Sequence, residues 1–315
     1  MSQVWGETGS AKLPRKRFYR ARAHSNPLSD SHFPVPVSPA EFDYSEHFPA
    51  FFDRSPTSNP NDKDNEEIEG PASKTAKSDD SAKDANDASS KPAESSEISP
   101  PSGNFSKPED SAKVTEGNGL KPDISTKIRF ADIGCGFGGL LVKLSTMFPS
   151  KLMIGMELRD KVSEYVKDRI LALRKAHPGQ YQNISVVRTN SMKFLPNYFE
   201  KGELEKMFFL FPDPHFKEKN HRRRVISVPL LAEYAYAMAI GGILYTVTDV
   251  EELGDWMKAC LDAHPLFEKV PEEQAKDDPV VKLLTTATEE GQKVARNEGQ
   301  TFLAIYRRIS SKEGA

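Results

Sequence analysis

From Lys127 onward, short apolar runs alternate with longer stretches in which apolar residues recur at helical spacing. The stretch 161–175, for instance, carries Val162, Val166 and Ile170 on one predicted helical face. Uninterrupted apolar runs of strand length are typical of strands that are buried on both faces of a parallel sheet. The pattern therefore predicts an α/β fold with a doubly wound sheet.

The individual elements follow from the same alternation. The predicted strands are 128–133, 152–157, 184–188, 206–211, 242–248 and 302–308. The predicted helices are 139–148, 161–175, 229–240 and 251–263.

Residues 55–126 break the pattern. They are rich in Ser, Asp, Lys, Ala and Pro and contain one aromatic residue, Phe105. Such a segment buries too little apolar surface to offset the entropy lost on ordering, so we predict a disordered acidic insertion. The chain then divides into an N-terminal arm (1–54), this insertion, a folded domain (127–309) and a short tail (310–315).

Charge and cysteine content narrow the function classes. The 315-residue chain has a net charge of −3, but the insertion holds 8 lysines against 15 acidic residues, so the remainder is net basic. The two cysteines exclude a disulfide framework and, with the seven histidines, show no metal-ligand spacing. No apolar run reaches membrane-spanning length, and the polar N-terminus lacks a signal-peptide core. We therefore expect a soluble intracellular protein with no metal and no membrane partner.

A glycine-rich turn follows the first predicted strand. Gly134, Gly136 and Gly139, with Glu157 at the end of the next strand, satisfy the dinucleotide-binding fingerprint. However, a carboxylate at Asp132 would repel a pyrophosphate and attract the ammonium and sulfonium groups of S-adenosylmethionine. The residues favour S-adenosylmethionine. They leave two alternatives: the turn binds NAD, or it binds no ligand and only packs the helix on the strand.

A second candidate site element is the Pro-Asp-Pro sequence at 212–214. It follows a predicted buried strand, and proline stops ladder pairing, so Asp213 would lie at the carboxyl end of the sheet. In open α/β sheets, ligands bind outside these ends. Asp213 is therefore a candidate site residue on the same rim as the glycine turn, with a turn that merely ends the strand as the alternative.

Two basic clusters flank this predicted site, one directly after Asp213 and one in the arm. Their members are Lys217, Lys219, Arg222, Arg223 and Arg224, and Arg17, Arg20 and Arg22. Clustered cations beside a site are typical of phosphate binding, although a solvated tail or a localisation signal is the alternative for the arm. We predict a polyanionic substrate and name these cations as candidate nucleic-acid contacts.

Further polar residues extend the predicted rim. Asn190 and Ser191 follow the strand at 184–188, where adenine rings commonly lie in nucleotide-binding sheets, but Asn190 is also a typical N-cap. Thr288 and Glu290 open a late helix, which is equally an ordinary helix start. Cys135 lies inside the glycine turn with no base nearby in sequence, so we reject it as a nucleophile.

Together these segments resemble the tRNA (guanine-N7)-methyltransferases of the eukaryotic branch. The arm segment Arg-Ala-His-Ser-Asn-Pro (22–27) is similar to that branch's N-terminal segment, and the resemblance covers about 20–54 and 127–309. The other matching segments are Phe-Ala-Asp-Ile-Gly-Cys-Gly-Phe-Gly-Gly (130–139), Gly-Met-Glu-Leu-Arg (155–159), Phe-Phe-Leu-Phe-Pro-Asp-Pro-His-Phe-Lys (208–217), Glu-Tyr-Ala-Tyr (233–236) and Thr-Glu-Glu-Gly (288–291).

The resemblance implies a Rossmann-like class I methyltransferase fold with a mostly parallel, seven-stranded sheet. It implies that S-adenosylmethionine methylates N7 of a guanosine in the tRNA variable loop, guanine 46, with Asp213 as the catalytic residue. It also implies a non-catalytic WD-repeat partner and a location in the nucleus, with the cytoplasm as a second location. The implied cofactor contacts are Gly134, Glu157, Arg159, Asn190, Ser191, Leu210, Thr288 and Glu290.

Two functions of other classes remain as alternatives. An NAD-dependent oxidoreductase would need an acid–base residue poised for hydride chemistry, and binding of S-adenosylmethionine against NAD separates the two. A non-catalytic RNA-binding module would lack methyl transfer to tRNA.

Overall fold

The computed structural model of the protein describes residues 12–22, 25–29, 32–52 and 126–311. The predicted disordered insertion lies outside the described residues apart from Thr126, as does most of the predicted tail.

A seven-stranded sheet forms the centre of the described part of the chain. Its strands are β1 (Ile128–Ile133), β2 (Leu152–Glu157), β3 (Ile184–Arg188), β4 (Leu204–Leu210), β5 (Met238–Thr248), β6 (Phe267–Lys269) and β7 (Phe302–Arg308). Their order is β3-β2-β1-β4-β5-β7-β6. The first five strands run parallel, whereas β7 is antiparallel to both of its neighbours. The predicted doubly wound, mostly parallel, seven-stranded fold is confirmed.

Helices connect the strands. They are α1 (Tyr44–His47), α2 (Gly139–Met147), α3 (Asp160–Ala176), α4 (Ser191–Phe194), α5 (Val228–Ala237), α6 (Glu251–Asp262), α7 (Glu272–Lys276), α8 (Val281–Leu284) and α9 (Glu289–Arg296). Short 3-10 helices span Lys16–Phe18, Pro39–Glu41, Leu195–Asn197 and Glu218–Arg223.

The sheet is covered on both faces, which explains its uninterrupted apolar strands. All six residues of β2 are buried. The adjacent residues Phe208 and Phe209 of β4 are both fully buried, yet they belong to separate core clusters, because successive side chains point to opposite faces. Residues of α2 and α3 pack into one cluster and those of α5 and α6 into the other. This arrangement leaves the carboxyl ends of β1 to β5 along a common rim.

Two predicted boundaries are wrong around residue 240. The predicted helix 229–240 ends at Ala237, and β5 begins at Met238 instead of at 242. Met238 pairs with Leu204 of β4, so sheet pairing overrides the helical preference of this alanine-rich stretch. The three-residue strand β6 was not among the individually predicted strands, because its length is too short to produce a pattern.

The proline- and aromatic-rich part of the arm is built into the core. Phe48 is 0% exposed and Phe42 is 7% exposed. The Tyr44 hydroxyl donates to Oε1 of Glu203 at 3.1 Å, and Nδ1 of His47 lies 2.8 Å from Oγ of Ser185 in β3. Burial lowers the pKa of His47 to about 3, so its ring is neutral at physiological pH. Buried aromatic residues, together with the short helix α1, therefore attach this part of the arm to the domain.

Candidate active site

The glycine turn joins β1 to α2 and is open on one side. Gly134 and Gly136 have φ angles of +71° and +54°, which residues with a Cβ rarely adopt. Apart from chain neighbours, no heavy atom of the described residues lies within 4 Å of a Cβ built at either position. Gly139 differs, because a Cβ there would lie 2.1 Å from the carbonyl oxygen of Ala287. The first two glycines therefore leave space for a ligand, whereas Gly139 lets a later loop pack on the turn.

Glu157 fixes the turn from the end of β2. It is 4% exposed, and its Oε2 accepts a hydrogen bond from the backbone N–H of Gly136 at 3.1 Å. Its Oε1 accepts from the backbone N–H and from Nε of Arg159, at 2.9 and 3.0 Å. Burial lowers the pKa of Arg159, but the hydrogen bonds and charge of Glu157, with the charge of Asp213, outweigh it and raise that pKa. A permanent cation is thus bonded to one predicted site carboxylate, Glu157, and interacts electrostatically with another, Asp213.

Asp132 is a buried carboxyl group in β1, and it is 4% exposed. It pairs with Gly155 of β2 and Phe208 of β4, and its side chain accepts no hydrogen bond from the described residues. Burial, and next the charge of Glu157, raise the pKa of Asp132 to about 7. A cationic ligand would stabilise the ionised form of this group.

The Pro-Asp-Pro segment leaves the sheet where β4 ends. Leu210, the last residue of β4, pairs with Val247, whose carbonyl also accepts from the N–H of Phe211 at 2.7 Å. Phe211 and His215, which flank the segment, have positive φ angles of +51° and +47°. These turns hold the half-buried Asp213 at the carboxyl end of the sheet, within electrostatic reach of Arg159. The predicted rim position of Asp213 is therefore correct.

Asn190 and Ser191 lie beyond the end of β3. The Asn190 side chain accepts from the N–H of Met192 at 3.1 Å, so the N-cap interpretation is confirmed. Its amide group also donates to the carbonyl of Pro27 in the arm at 2.6 Å. Ser191, the first residue of α4, is partly exposed. A contact with a nucleotide base remains a prediction for both residues.

The 285–290 segment lies against the glycine turn through the close approach of Ala287 to Gly139. Thr288 caps α9, since its Oγ1 accepts from the N–H of Gly291 at 3.0 Å. Glu290 is exposed beside this cap. The segment therefore borders the predicted ligand space, while Thr288 also acts as an ordinary helix cap.

The arm crosses the same region, which the sequence patterns did not predict. Nζ of Lys16 lies 2.6 Å from Oε1 of Glu289 in α9 and 4.7 Å from the ring centre of Phe137 in the turn. The Tyr19 hydroxyl donates to Asp168 of α3. Because these partners are more than a hundred residues apart in sequence, only the folded structure brings them together. The arm cations Arg17, Arg20 and Arg22 remain exposed.

The basic segment after Asp213 divides into exposed and buried members. Lys217, Lys219 and Arg222 are exposed and Arg223 is partly exposed. Arg224 is 2% exposed, and its guanidinium bonds to protein groups instead of facing solvent. The prediction that Arg224 contacts RNA is therefore wrong, because a buried cation whose Nε and one terminal nitrogen bond to protein groups presents no surface to a phosphate.

Other site classes are not indicated by the residues described. None of their helices is long and apolar enough to cross a membrane. No group of three or more His, Cys, Asp or Glu side chains among them could hold a metal ion. Burial, with the nearby charges of Asp132 and Glu157, raises the pKa of the Cys135 thiol, which agrees with its rejection as a nucleophile.

Residues 126–304 match a family model described as "Putative methyltransferase". A tRNA (guanine-N(7)-)-methyltransferase from Zea mays is 59% identical over 315 residues, which cover 99% of this chain and 100% of the relative. One from Xenopus laevis is 46% identical over 300 residues, 95% of this chain and 91% of the relative. Among solved structures, an antibiotic-related methyltransferase is similar at 16% identity and a TM-score of 0.42, over 59% of this chain and 89% of that chain.

Proposed function

Because this chain belongs to the tRNA (guanine-N7)-methyltransferase family, we propose that it transfers a methyl group from S-adenosylmethionine to N7 of guanine 46 in the tRNA variable loop. One observation carries the assignment of the site. Asp213 lies at the carboxyl end of β4, in electrostatic reach of Arg159, which is bonded to the Glu157 carboxylate that holds the glycine turn. A candidate catalytic group and a candidate ligand space therefore share one rim.

The residues present fit the proposed cofactor. Gly134 and Gly136 border open space, and Asp132 supplies a buried carboxyl group that a cation would ionise. When bound, S-adenosylmethionine supplies an electrophilic methyl group on a sulfonium. Glu157, Arg159 and the 288–290 segment would hold it, with Leu210, Asn190 and Ser191 as the remaining proposed contacts.

Guanine N7 needs little help as a nucleophile, since its lone pair is free and it carries no proton that a base must remove. Alignment of N7 with the methyl group then provides most of the rate acceleration. Positive charge develops on the purine as the methyl arrives. The Asp213 carboxylate would stabilise this charge, or hold the N1–H and N2–H edge of the base.

Cofactor affinity is expected to rise as pH increases through about 7, because a cation prefers the ionised form of Asp132. If cofactor binding lowers the pKa of Asp132 by one unit, cofactor affinity is about tenfold higher at a pH where Asp132 is ionised than at a pH where it is protonated. Asp132→Asn should bind more weakly and independently of pH. Calorimetry in two buffers of different ionisation enthalpy would count the proton released, and a flat pH profile for the wild type would contradict the assignment.

Without ligand, the Asp132 carboxyl lowers the stability of the folded protein as pH rises, whereas in the presence of cofactor the same rise in pH increases affinity. Its folded pKa is raised, so its contribution is fully present below about pH 4 and is lost as pH rises through about 7. Asp132→Asn should remove this slope from the pH dependence of the unfolding free energy.

The exposed cations after Asp213 are proposed to bind tRNA phosphates. Neutralising Lys219 or Arg222 with glutamine should weaken tRNA binding and lower the slope of log K against log[salt] by about one per charge. Lys201→Gln is a matched control, because Lys201 is exposed but precedes β4 at the opposite end of the sheet. Equal changes in slope for all three variants would contradict a local binding site.

The resemblance supports two further proposals: a non-catalytic WD-repeat protein is the partner, and the enzyme acts mainly in the nucleus. Mass spectrometry of the nucleosides and of the ribonuclease fragments from tRNA treated with the protein, with and without such a partner, tests the central proposal. We expect 7-methylguanosine at position 46. Methylation at another atom or position, or none in either sample, would overturn it, and the last result would favour a non-catalytic RNA-binding module.

A further inference from the structure

Arg224 is a charged residue that the proposed reaction leaves without a role. Its side chain is 1% exposed, although it ends a strongly basic segment. Burying a guanidinium is costly unless its donors are satisfied, so its contacts indicate what the residue does.

Those contacts connect the Pro-Asp-Pro segment to α6. Nε of Arg224 donates to the carbonyl oxygen of Pro214 at 2.9 Å, and one terminal nitrogen donates to Oε1 of Glu252 at 2.6 Å. The guanidinium also lies over the Trp256 ring, 4.8 Å from its centre. Glu252 and Trp256 are four residues apart and therefore lie on one face of α6.

The α6 face is itself fixed to the chain two residues after Arg224. The indole N–H of Trp256 donates to the carbonyl of Ile226 at 2.8 Å. The hydrogen bond from Arg224 lowers the pKa of Glu252, so this carboxylate is charged at neutral pH. Helix α6 thus holds the arginine, and the arginine holds the backbone directly after Asp213.

We propose that Arg224 is a positioning residue, which fixes the orientation of the Asp213 carboxylate by bonding the Pro214 carbonyl. The positive φ angles of Phe211 and His215 favour this role, because a segment bounded by two strained residues needs external contacts to stay in one conformation. The expected effect of Arg224 on turnover rests on the proposed function. Its expected effect on the backbone of the Pro-Asp-Pro segment does not depend on that function.

Kinetics of Arg224→Lys and Arg224→Met test the proposal. Lysine keeps the charge but cannot donate to Pro214 and Glu252 in the same planar geometry. We expect kcat to fall about tenfold for lysine and about 100-fold for methionine, since small misplacements of a catalytic group have effects of this size. The KM for tRNA and the salt dependence of tRNA binding should stay within about twofold of wild type, since no phosphate contact is lost.

Arg222→Met is the matched comparison, because Arg222 is an exposed neighbour in the same segment. It should raise the KM for tRNA and lower the salt slope, with a smaller effect on kcat. If Arg224→Met gives this same result, Arg224 contacts phosphate and the proposal fails. If kcat per folded molecule is unchanged in both Arg224 variants, the residue is only structural and the proposal also fails.

Hydrogen exchange of the 208–220 backbone, measured without any substrate, gives a readout that does not depend on activity. We expect faster exchange around Asp213 in both Arg224 variants and in Glu252→Gln, which keeps an acceptor but removes the ion pair. Unchanged exchange in all three variants would overturn the proposal. A wild-type protein that fails to methylate tRNA, with exchange that still responds to Arg224, would overturn the proposed function and leave the positioning role intact.

Discussion

Asp213→Asn is expected to lower kcat by about 10²- to 10³-fold, the size of effect found when one electrostatic stabiliser of a transition state is removed. Asparagine keeps the shape of the side chain but cannot offset the positive charge that develops on the purine. Asp213 is half-buried at the rim and packs into neither core cluster, so the variant should fold normally. Single-turnover methylation of tRNA at saturating concentrations of both substrates measures this step.

Two controls define the role of Asp213. Cofactor affinity, measured by calorimetry, should change little in Asp213→Asn and in Asp213→Ala, because Asp132 and Glu157 supply the carboxyl groups beside the glycine turn. The midpoint of thermal unfolding should also be preserved. Weak cofactor binding with an intact chemical step would show that Asp213 binds the cofactor instead of acting on the purine.

Phe48→Ala is expected to lower the free energy of unfolding by about 3–5 kcal/mol, as for other buried phenylalanines. Phe48 is 0% exposed and lies in the same core cluster as residues of α5 and α6. Its loss should therefore destabilise the whole domain and not only the arm. Urea denaturation monitored by circular dichroism measures the change.

Phe18→Ala serves as the control for Phe48→Ala, since Phe18 belongs to the same arm but is 70% exposed. Its effect on stability should stay within about 0.5 kcal/mol, as is usual for surface positions. If Phe48→Ala were equally mild, the aromatic part of the arm would rest on the domain without contributing to its core.

The central strands could be predicted closely because burial on both faces leaves a direct signal in the sequence. The predicted bounds 128–133, 152–157 and 184–188 agree with β1, β2 and β3. The error at Met238 has a different origin. That residue joins β5 through its pairing with Leu204, and local propensity contains no information about a partner 34 positions earlier.

The candidate site also contains residues that local sequence predicts and residues whose positions depend on distant parts of the chain. The sequence predicts that Glu157 and Asp213 share a rim, because Glu157 ends one buried parallel strand and Asp213 follows another, and topology alone brings such ends together. Arg224 was predicted wrongly because its burial depends on Glu252 and Trp256, which lie on a helix beyond β5. The contact of Lys16 with Glu289 joins opposite ends of the chain, so charge patterning could not reveal it.

The shared core of the arm and the domain has a consequence for engineering. Since 32–52 and 126–311 complete each other's packing, the polypeptide has a natural division point between them. Two separately encoded pieces, 1–52 and 126–315, should reconstitute methylation when co-expressed, with a yield that depends on their concentrations because the covalent tether no longer raises local concentration. Such complementation would turn the protein into a proximity reporter, with modified tRNA as its signal.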